Sequence, residues 1–296
     1  MLALMNTVWK EGRLPLAWKQ AVVVPILKPG KEAEHPGSYR LIALTAVMCT
    51  IMERMVTDRV VYKLEKEGRF TLMQSGFRRG RSTMDSVISL DSDVKKAMVN
   101  KEGVVAVFLD IEKAYDMLWK EGLILKLYDA EIRGRMLNWV QDFLKNRVIQ
   151  VRVGEAMSNG TCVENGTPQG SVISLVLFNV MVNYIFKDIG SGFGFSLFAD
   201  DGAVWKRGRN IKHITEKIQM ALNKIMDWVS RCGFKISTEK TKYVVFGNKK
   251  TVCQGLLMYG QAVERLKEFK LLGVVCDERL TFKKHVDSIV SKCGKL

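Results

Sequence analysis

The period of hydrophobic and polar positions changes several times along the chain, which predicts a protein of mixed α and β structure. Apolar runs rich in β-branched residues predict strands at 21–27, 104–109, 149–153, 242–246 and 270–275. Apolar residues at helical spacing predict helices at 46–64, 83–98, 118–128, 134–145, 172–188, 210–231 and 282–293. Because no internal repeat is visible, an α+β fold is expected, not a repeat array.

Two of these helices differ in how clearly the sequence marks their buried face. Residues 210–231 place isoleucine, leucine and valine on one side, which is typical of a helix packed on a core. The helix predicted at 46–64 has apolar residues spaced for one side, on which Asp58 intrudes: Val47, Ile51, Met55, Val61 and Tyr62. That side is the predicted buried face.

A short acidic turn follows an apolar segment near residue 200. Residues 196–199 lead into Asp200 and Asp201, and 202–205 continue with small and apolar residues, which predicts a hairpin. Adjacent carboxylates repel each other unless a cation offsets their charge, and hard divalent cations take carboxylate oxygens as ligands. Aspartate and glycine are also the commonest residues of solvated turns, so that alternative stays open for this segment alone.

A further carboxylate, Asp110, ends the buried strand at 104–109. Asp116 lies six residues on, and it is predicted to cap the helix that starts near Leu118. From this strand to the strand at 242–246 the element order is β-α-ββ-α-β, a split βαβ arrangement with helices on one face of an antiparallel sheet. In that topology Asp110 meets the acidic hairpin, and three carboxylates could hold a metal pair.

Two glycine-containing segments carry the other candidate chemistry. Residues 76–83 form a basic loop in which Ser82 is placed to cap the next helix. Arginines beside a helix start suit a phosphate, although an ordinary exposed basic loop has the same composition. Residues 165–171 contain two glycines and a proline, which indicates either close backbone approach to a ligand or a plain connecting turn.

The charge balance points to a polyanionic partner. The chain of 296 residues has 46 lysines and arginines against 31 acidic residues, a net charge of +15. The basic residues are spread over several segments, so nucleic acid is favoured over an anionic lipid surface. Six separated cysteines match no zinc pattern and are expected to be reduced thiols in a protein that is not secreted. The longest apolar run, 172–186, is shorter than the roughly 20 residues of a membrane span, so no membrane is predicted.

Seven segments, in this order, resemble motifs of the reverse transcriptases, and their residues are closest to those of non-LTR retrotransposon enzymes. They are Ser38–Arg40, Gln74–Thr83, Phe108–Asp116, Gly166–Ser171, Phe198–Asp201, Gly233–Thr241 and Phe269–Gly273. Any one of these segments would be a weak signal, whereas seven in order make a chance match negligible. The resemblance runs from about Trp9 to Val286.

The resemblance implies the fold of a right-hand polymerase. Residues 1–103 would form a fingers-like region, and 104–246 would form the palm with its split antiparallel sheet. Residues 247–296 would contain a primer-grip hairpin and the start of a truncated thumb. The implied function is RNA-directed DNA synthesis by transfer of a nucleotide from a dNTP to a primer 3′-hydroxyl.

The resemblance also assigns roles to single residues. Asp110, Asp200 and Asp201 would be catalytic and would hold two Mg²⁺ ions, for which Mn²⁺ is a possible substitute. The nucleotide-binding residues would be Arg40, Arg78, Tyr115, Gln169 and Lys240. Arg40 would neutralise the incoming phosphates, with Lys31 or Arg78 as a helper. The tyrosine would gate against a ribose 2′-hydroxyl, the glutamine would lie by the nucleotide and the lysine by the pyrophosphate. The implied partners are an RNA template, a DNA primer and dNTPs, and no specific protein partner is indicated.

Three leucines depart from the family's usual residues. Leu41 and Leu175 replace prolines and are expected to loosen turns near the substrate, and Leu271 replaces a common aromatic residue. Two alternatives therefore stay open. One is a decayed remnant that binds nucleic acid without catalysis, because binding needs only the basic surface. The other is an RNA-directed RNA polymerase, against which the Phe198–Asp201 box and the loop at 76–83 weigh.

Overall fold

The computed structural model describes residues 1–247 and 255–294. The helices are α1 (Leu2–Glu11), α2 (Val47–Lys66), α3 (Thr83–Val99), α4 (Lys120–Asp129), α5 (Gly134–Leu144), α6 (Val172–Val182), α7 (Ile211–Arg231) and α8 (Lys283–Cys293). The first strands are β1 (Gln20–Leu27), β2 (Tyr39–Leu44), β3 (Gly103–Asp110), β4 (Arg147–Val153), β5 (Ala156–Met157), β6 (Thr161–Val163) and β7 (Gly194–Phe198). The later strands are β8 (Asp201–Gly208), β9 (Lys242–Phe246), β10 (Leu257–Met258), β11 (Gln261–Ala262), β12 (Glu264–Leu266), β13 (Glu268–Leu271) and β14 (Val274–Asp277).

The described residues form two compact units, each assembled from two separate stretches of chain. Unit 1 comprises Met1–Phe70 and Lys113–Asn183, and unit 2 comprises Thr71–Glu112 and Tyr184–Leu296. The division into fingers, palm and thumb at residues 103 and 246 stays a prediction. Residues 248–254 and 295–296 of the predicted third domain lie outside the described residues.

Unit 1 is built on a sheet whose central strand is β1. This strand runs antiparallel to β2 and parallel to β4, and β5 and β6 both pair with β4. Helices α2 and α6 pack together in the same unit. Helix α6 is buried almost all round, because nine of its eleven residues have little solvent contact and most of them are apolar.

The buried face of α2 is not the predicted one. Val47 is 75% exposed, and Ile51 and Met55 also keep solvent contact. The helix instead buries Cys49, Met52, Glu53, Val56, Thr57, Val60 and Leu64. Because α2 carries apolar residues on more than one side, periodicity alone does not choose between two candidate faces.

Unit 2 contains the predicted sheet, in the strand order β12-β9-β3-β8-β7. The four strands from β9 to β7 are antiparallel to their neighbours, as expected for the split βαβ arrangement. The fifth strand, β12, is parallel to β9 and makes the sheet mixed. Its pairing follows from a long-range contact that the local pattern did not indicate.

Helices cover both faces of this sheet, which corrects the prediction of helices on one face. Gly103 and Gly208 lie opposite each other, and a Cβ atom at either would meet α7 at Ile211 or Ile214. On the other face, α3 shares a buried cluster with alternate residues of β3, β8 and β9. Ser82 caps α3 through a reciprocal capping box with Asp85, as its position predicted.

The strand predicted at 270–275 is instead a hairpin. Strands β13 and β14 pair antiparallel, and Leu272 and Gly273 form the turn between them with φ of +46° and +95°. The apolar run concealed this turn: Gly273 favours a turn, but leucine rarely adopts a positive φ. The hairpin packs against the sheet through Phe269, whose ring stacks on Phe108 at 4.1 Å between centroids.

Two further expectations concern the whole described chain. Among residues 1–247 and 255–294, we find no helix of the length and apolar character that a membrane span requires. The cysteines in these ranges are all free thiols: Cys49, Cys162, Cys232, Cys276 and Cys293.

Candidate active site

The acidic hairpin of unit 2 places two of the predicted metal ligands by strand pairing. Strand β7 ends at Phe198, β8 begins at Asp201, and Ala199 takes a left-handed φ of +56° in the turn between them. Across the ladder with β3, Asp201 lies directly opposite Asp110. Residues directly opposite in an antiparallel pair point to the same face, so these two carboxylates share one side of the sheet.

The carboxylates of this cluster carry like charges and repel one another. Burial raises the pKa of Asp200, and the charge of Asp110 raises it further. Burial also raises the pKa of Asp201 from 3.8 to about 6, with Asp200 and then Asp110 adding to the shift. Both groups are therefore less stable in the charged form than an isolated aspartate.

Lys240 is the cation that the structure places at this cluster. Its Nζ donates to both oxygens of Asp110, at 3.0 and 3.2 Å. The lysine is held there because the preceding segment runs along the end of β3: the amide of Ser237 donates to the carbonyl of Asp110 at 2.8 Å. Lys240 lowers the pKa of Asp200 and Asp201, but by less than burial raises it.

The carboxylates are suitable ligands for a divalent cation, although in this structure they do not form a complete coordination site. Among the residues that the structure describes, no three acidic, histidine or cysteine side chains stand close enough together to hold a metal ion. In this structure, Lys240 is a cation that bonds Asp110. Carboxylate oxygens are the ligands of hard divalent cations. A bound cation would offset the repulsion between the carboxylates of the cluster.

A cavity of about 220 Å³ opens beside the cluster. Its polar wall includes Asp110, Asp201 and Lys240, and residues of the β13–β14 hairpin form another wall. Leu271 is one of these residues and is only 5% exposed, because it belongs to the core cluster of unit 2. At this position the leucine that replaces the usual aromatic residue serves packing.

A segment before α3 supports the acidic turn from the side of β7. The amide of Ser75 donates to Leu197, and the amide of Leu197 donates to Met73, so residues 73–75 run along β7 like an extra strand. The side-chain Oε1 of Gln74 accepts from the amides of Gly76, at 2.8 Å, and Ala199, at 3.3 Å. Gln74 was not singled out from the sequence, and its only signal was its place in a matching motif.

Arg78 belongs to the same supporting segment. Its Nη1 donates to the carbonyls of Thr71 and Gln74, at 2.7 and 3.0 Å. These bonds shape the loop that lies along β7. The nucleotide-binding role of Arg78 stays a prediction.

The glycine turn at 165–171 belongs to unit 1. The amide of Gly166 donates to Leu118 and the amide of Thr167 donates to Tyr115, each at 2.8 Å. Gly166 has a φ of +82°, and a Cβ atom there would lie 2.6 Å from the carbonyl oxygen of Asp116. Only glycine therefore fits this close approach.

Gln169 is part of this turn, and Tyr115 contacts it. The Nε2 of Gln169 donates to Oδ1 of Asp116 at 3.0 Å, and the ring of Tyr115 contacts Phe178 with 5.3 Å between centroids. The predicted helix cap at Asp116 is wrong. Helix α4 begins only at Lys120, too far along the chain for that cap, and the carboxylate accepts from Gln169 instead.

Arg40 lies on β2, the strand that contacts this turn further along. The amide of Ala43, three residues further along β2, donates to the carbonyl of Gln169 at 2.7 Å, and Arg40 itself is exposed. Leu41 lies in regular strand opposite Pro25, and Leu175 lies in the first turn of α6. Neither leucine is in a loop. The expected loosening of the neighbouring turns stays a prediction.

Comparison with known proteins gives the family. The family described as "Reverse transcriptase (RNA-dependent DNA polymerase)" matches residues 26–276. The chain belongs to the reverse transcriptase family. Its resemblance to the family, stated from seven motifs, is confirmed.

Curated reverse transcriptases of mobile elements are similar over almost the whole chain. The "RNA-directed DNA polymerase from mobile element jockey" of Drosophila melanogaster is 29% identical over 292 residues, which are 97% of this chain and 32% of that protein. The "Probable RNA-directed DNA polymerase from transposon X-element" of the same species is 31% identical over 96% of this chain and 32% of its own length. The chain thus spans about a third of the length of these relatives.

Solved telomerase structures share the fold. Apo telomerase from Candida tropicalis, truncated from its C-terminal domain, matches with a TM-score of 0.61 and 13% identity, over 95% of this chain and 58% of that one. A second structure of apo telomerase from the same species gives a TM-score of 0.59 at 12% identity, over 95% of this chain and 52% of that one. The predicted α+β fingers and palm fold is confirmed. Reverse transcriptases typically use divalent metals, which agrees with the acidic donor set.

Proposed function

We propose that this chain is the RNA-directed DNA polymerase domain of a non-LTR retrotransposon, which transfers nucleotides from dNTPs to a primer 3′-hydroxyl. The observation that carries the proposal is the pairing of Asp110 with Asp201, beside Asp200, in a chain of the reverse transcriptase family. A supporting observation is the similarity to curated RNA-directed DNA polymerases over almost the whole chain.

Asp110, Asp200 and Asp201 would hold two Mg²⁺ ions, or Mn²⁺ in their place. When bound, such a metal pair activates the attacking hydroxyl and neutralises charge on the transferred phosphoryl group. The chain contributes two carboxyl groups whose pKa is raised, so the folded protein favours a cation over free charges. Lys240 keeps Asp110 paired in this structure, and its exposed ammonium is suited to the leaving pyrophosphate.

The residues of unit 1 would bind the nucleotide itself. Tyr115 and Gln169 are joined to the same glycine turn, which supports a shared role at the sugar and the base. Arg40 is exposed and cationic, as a triphosphate contact requires. Arg78 belongs to unit 2. We keep it among the proposed nucleotide-binding residues, although two of its hydrogen bonds already hold its own loop.

The partners proposed are an RNA template and a DNA primer. The net charge of +15 supports binding to phosphate backbones. Two telomerases of similar fold were solved "in complexe with TWJ fragment of telomeric RNA", which makes RNA a reasonable ligand for this fold. The finding on membrane helices gives no reason to add a membrane to these partners.

Primer extension on an RNA template tests the proposal and separates it from the alternatives. The wild-type chain is expected to extend a DNA primer with dNTPs and Mg²⁺, and the Asp200→Asn variant is expected to fail. Binding without extension by the wild type would favour a decayed remnant. Extension with rNTPs in preference to dNTPs would favour an RNA polymerase.

A further inference from the structure

Glu53 is a buried carboxylate that the proposed catalysis does not use. It lies on α2 with 0% of its surface exposed, between the buried apolar residues Met52 and Val56. An ionised carboxylate in such a place is strongly destabilising unless its oxygens accept hydrogen bonds. The hydrogen-bond donors around Glu53 therefore indicate its role.

The partners of Glu53 lie at the start of α6. Its Oε2 accepts from the hydroxyl of Ser171 at 2.6 Å and from the amide of Val172 at 2.9 Å. Its Oε1 accepts more weakly from the thiol of Cys49 at 3.5 Å. Val172 opens α6, where amides have no partner within the helix and the helix dipole favours a negative charge.

Ser171 does not cap α6 in the usual way. It occupies the N-cap position, but its side chain makes no cap bond to the helix. The hydroxyl instead donates to Glu53, so the carboxylate from α2 replaces the ordinary serine cap. In unit 1, one side chain thus fastens both the last residue of the glycine turn and the first residue of the helix.

The rest of the glycine turn is fastened through main-chain atoms and through the side-chain bond from Gln169 to Asp116. Its beginning bonds the carbonyls of Tyr115 and Leu118, and Gln169 accepts from the amide of Ala43. Between Gln169 and Ser171 lies only Gly170, with a φ of +108°. A displaced Ser171 would therefore move Gln169, because only one residue separates them.

We infer that Glu53 is a positioning residue that fixes the turn 165–171, and with it Gln169, for nucleotide binding. The inference rests on the proposed function, because Gln169 is assigned to the nucleotide there. It adds a residue outside the matching motifs, on a helix whose buried side the sequence pattern did not identify. Arg147 is a buried cation that interacts electrostatically with Glu53, but its own donors bond the carbonyls of Phe143 and Trp18.

The test compares three substitutions with a matched control. Glu53→Ala removes the acceptor, Glu53→Gln keeps an acceptor of the same size, and Ser171→Ala removes one donor. Thr57→Val is the control, because Thr57 is buried on the same helix and its hydroxyl has no hydrogen-bond partner among the described residues. Each protein is assayed with an oligo(dT) primer on poly(rA), and KM for dTTP is measured separately from kcat.

We expect Glu53→Ala to raise KM for dTTP by about tenfold to a hundredfold, because a misplaced turn weakens nucleotide binding. Glu53→Gln should stay within about threefold of the wild type, and Thr57→Val should leave KM unchanged. Glu53→Ala and Ser171→Ala should not add in the double variant, because they break the same bond. An unchanged KM in Glu53→Ala, or an equal rise in Thr57→Val, overturns the inference.

Amide hydrogen exchange of the same proteins gives a readout that needs no activity. Glu53→Ala should speed exchange in peptides covering 165–175 and leave β1 and β2 protected, since only the turn loses its anchor. If the wild type extends no primer, the proposed function fails while this measurement still decides whether Glu53 anchors the turn. Unchanged exchange in 165–175 overturns the anchoring, and faster exchange throughout unit 1 shows a general structural role that also overturns it.

Discussion

The acidic turn of unit 2 and the glycine turn of unit 1 are held in opposite ways. The acidic turn joins two paired strands, so backbone hydrogen bonds between strands fix its position. Its carboxylates repel each other. The glycine turn has no ladder of its own and is fastened by scattered backbone bonds, by the side-chain bond from Gln169 to Asp116 and by one buried carboxylate. That carboxylate, Glu53, has donors for both of its oxygens.

The contrast teaches that burial alone does not mark a catalytic carboxylate. Glu53 is more deeply buried than Asp200, yet its donors make it a structural anchor. At Asp200 and Asp201 the neighbours are other acids, and Lys240 only partly balances them. A carboxyl group with unrelieved repulsion is the better candidate for a cation ligand.

The largest expected effect comes from removing charge at the acidic turn. Asp110→Asn or Asp200→Asn should lower primer extension by about 10³-fold or more, because an amide cannot replace a carboxylate as a cation ligand. Binding to RNA should stay nearly unchanged, since affinity comes from lysines and arginines. Single-turnover extension and fluorescence anisotropy measure the two properties.

The exposed Asp227 on α7 offers the matched control. Asp227→Asn should extend primers like the wild type, because its ion pair with Arg231 is on the surface. If Asp200→Asn extended primers as well as Asp227→Asn, the acidic turn would not be the catalytic centre.

Salt is expected to weaken binding of the primer–template by screening the whole basic surface. Neither turn is expected to determine this salt dependence. Affinity for a primer–template should fall by about 10³-fold or more between roughly 50 and 200 mM salt, if several phosphates are neutralised. Asp200→Asn should show the same slope as the wild type in a filter-binding titration. A salt-independent affinity would mean that the net charge of +15 is not what binds nucleic acid.

Tyr115 tests the glycine turn by sugar selectivity. Tyr115→Val should raise rNTP use relative to dNTP use by about 10- to 100-fold, because a smaller side chain leaves room for a 2′-hydroxyl. The measurement is the ratio of kcat/KM for the two sugars. Tyr62→Val, on an exposed face of α2, is the control, and equal ratios in the two variants would remove the gate role.

The smallest expected effect concerns stability and pH at Asp201. Its pKa is raised from 3.8 to about 6, so between these values the folded state binds more protons than the unfolded chain. The stability contributed by this group therefore falls as pH rises through that window, and the loss is complete above it. Asp201→Asn should be more stable than the wild type at neutral pH by about 0.5–1 kcal/mol, since partial exposure screens the repulsion.

Urea unfolding without divalent cations measures this difference. The gain from Asp201→Asn should vanish as the pH falls below 3.8, because the wild-type carboxyl then becomes protonated in both states. A variant that is less stable than the wild type at neutral pH would show that Asp201 is satisfied in the fold and is not opposed by its neighbours.

The sequence predicted best those features that depend on local periodicity. Strand β3, α7 and the Ser82 cap were predicted to within a few residues, and the element order was enough to place Asp110 opposite the acidic hairpin. The pairing of β12 with β9 was not predicted, because it depends on contacts far apart in the chain.

The features that were missed share a physical cause. Asp116 was taken for a cap because a helix pattern followed it, whereas Gln169 competes for its carboxylate from far along the chain. Glu53 was missed because α2 has apolar residues on two sides, and the wrong side was taken as buried. In both places a tertiary hydrogen bond, which no local pattern records, decides the role of an acidic side chain.

The strand order of unit 2 has a consequence for synthesis on the ribosome. Strand β3 leaves the ribosome before its neighbours β8 and β9, which begin only at residues 201 and 242. At typical elongation rates the wait for β8 lasts roughly 5 to 20 s. During that time an apolar segment with two open edges is exposed, which makes β3 the natural point of contact for a chaperone in the growing chain.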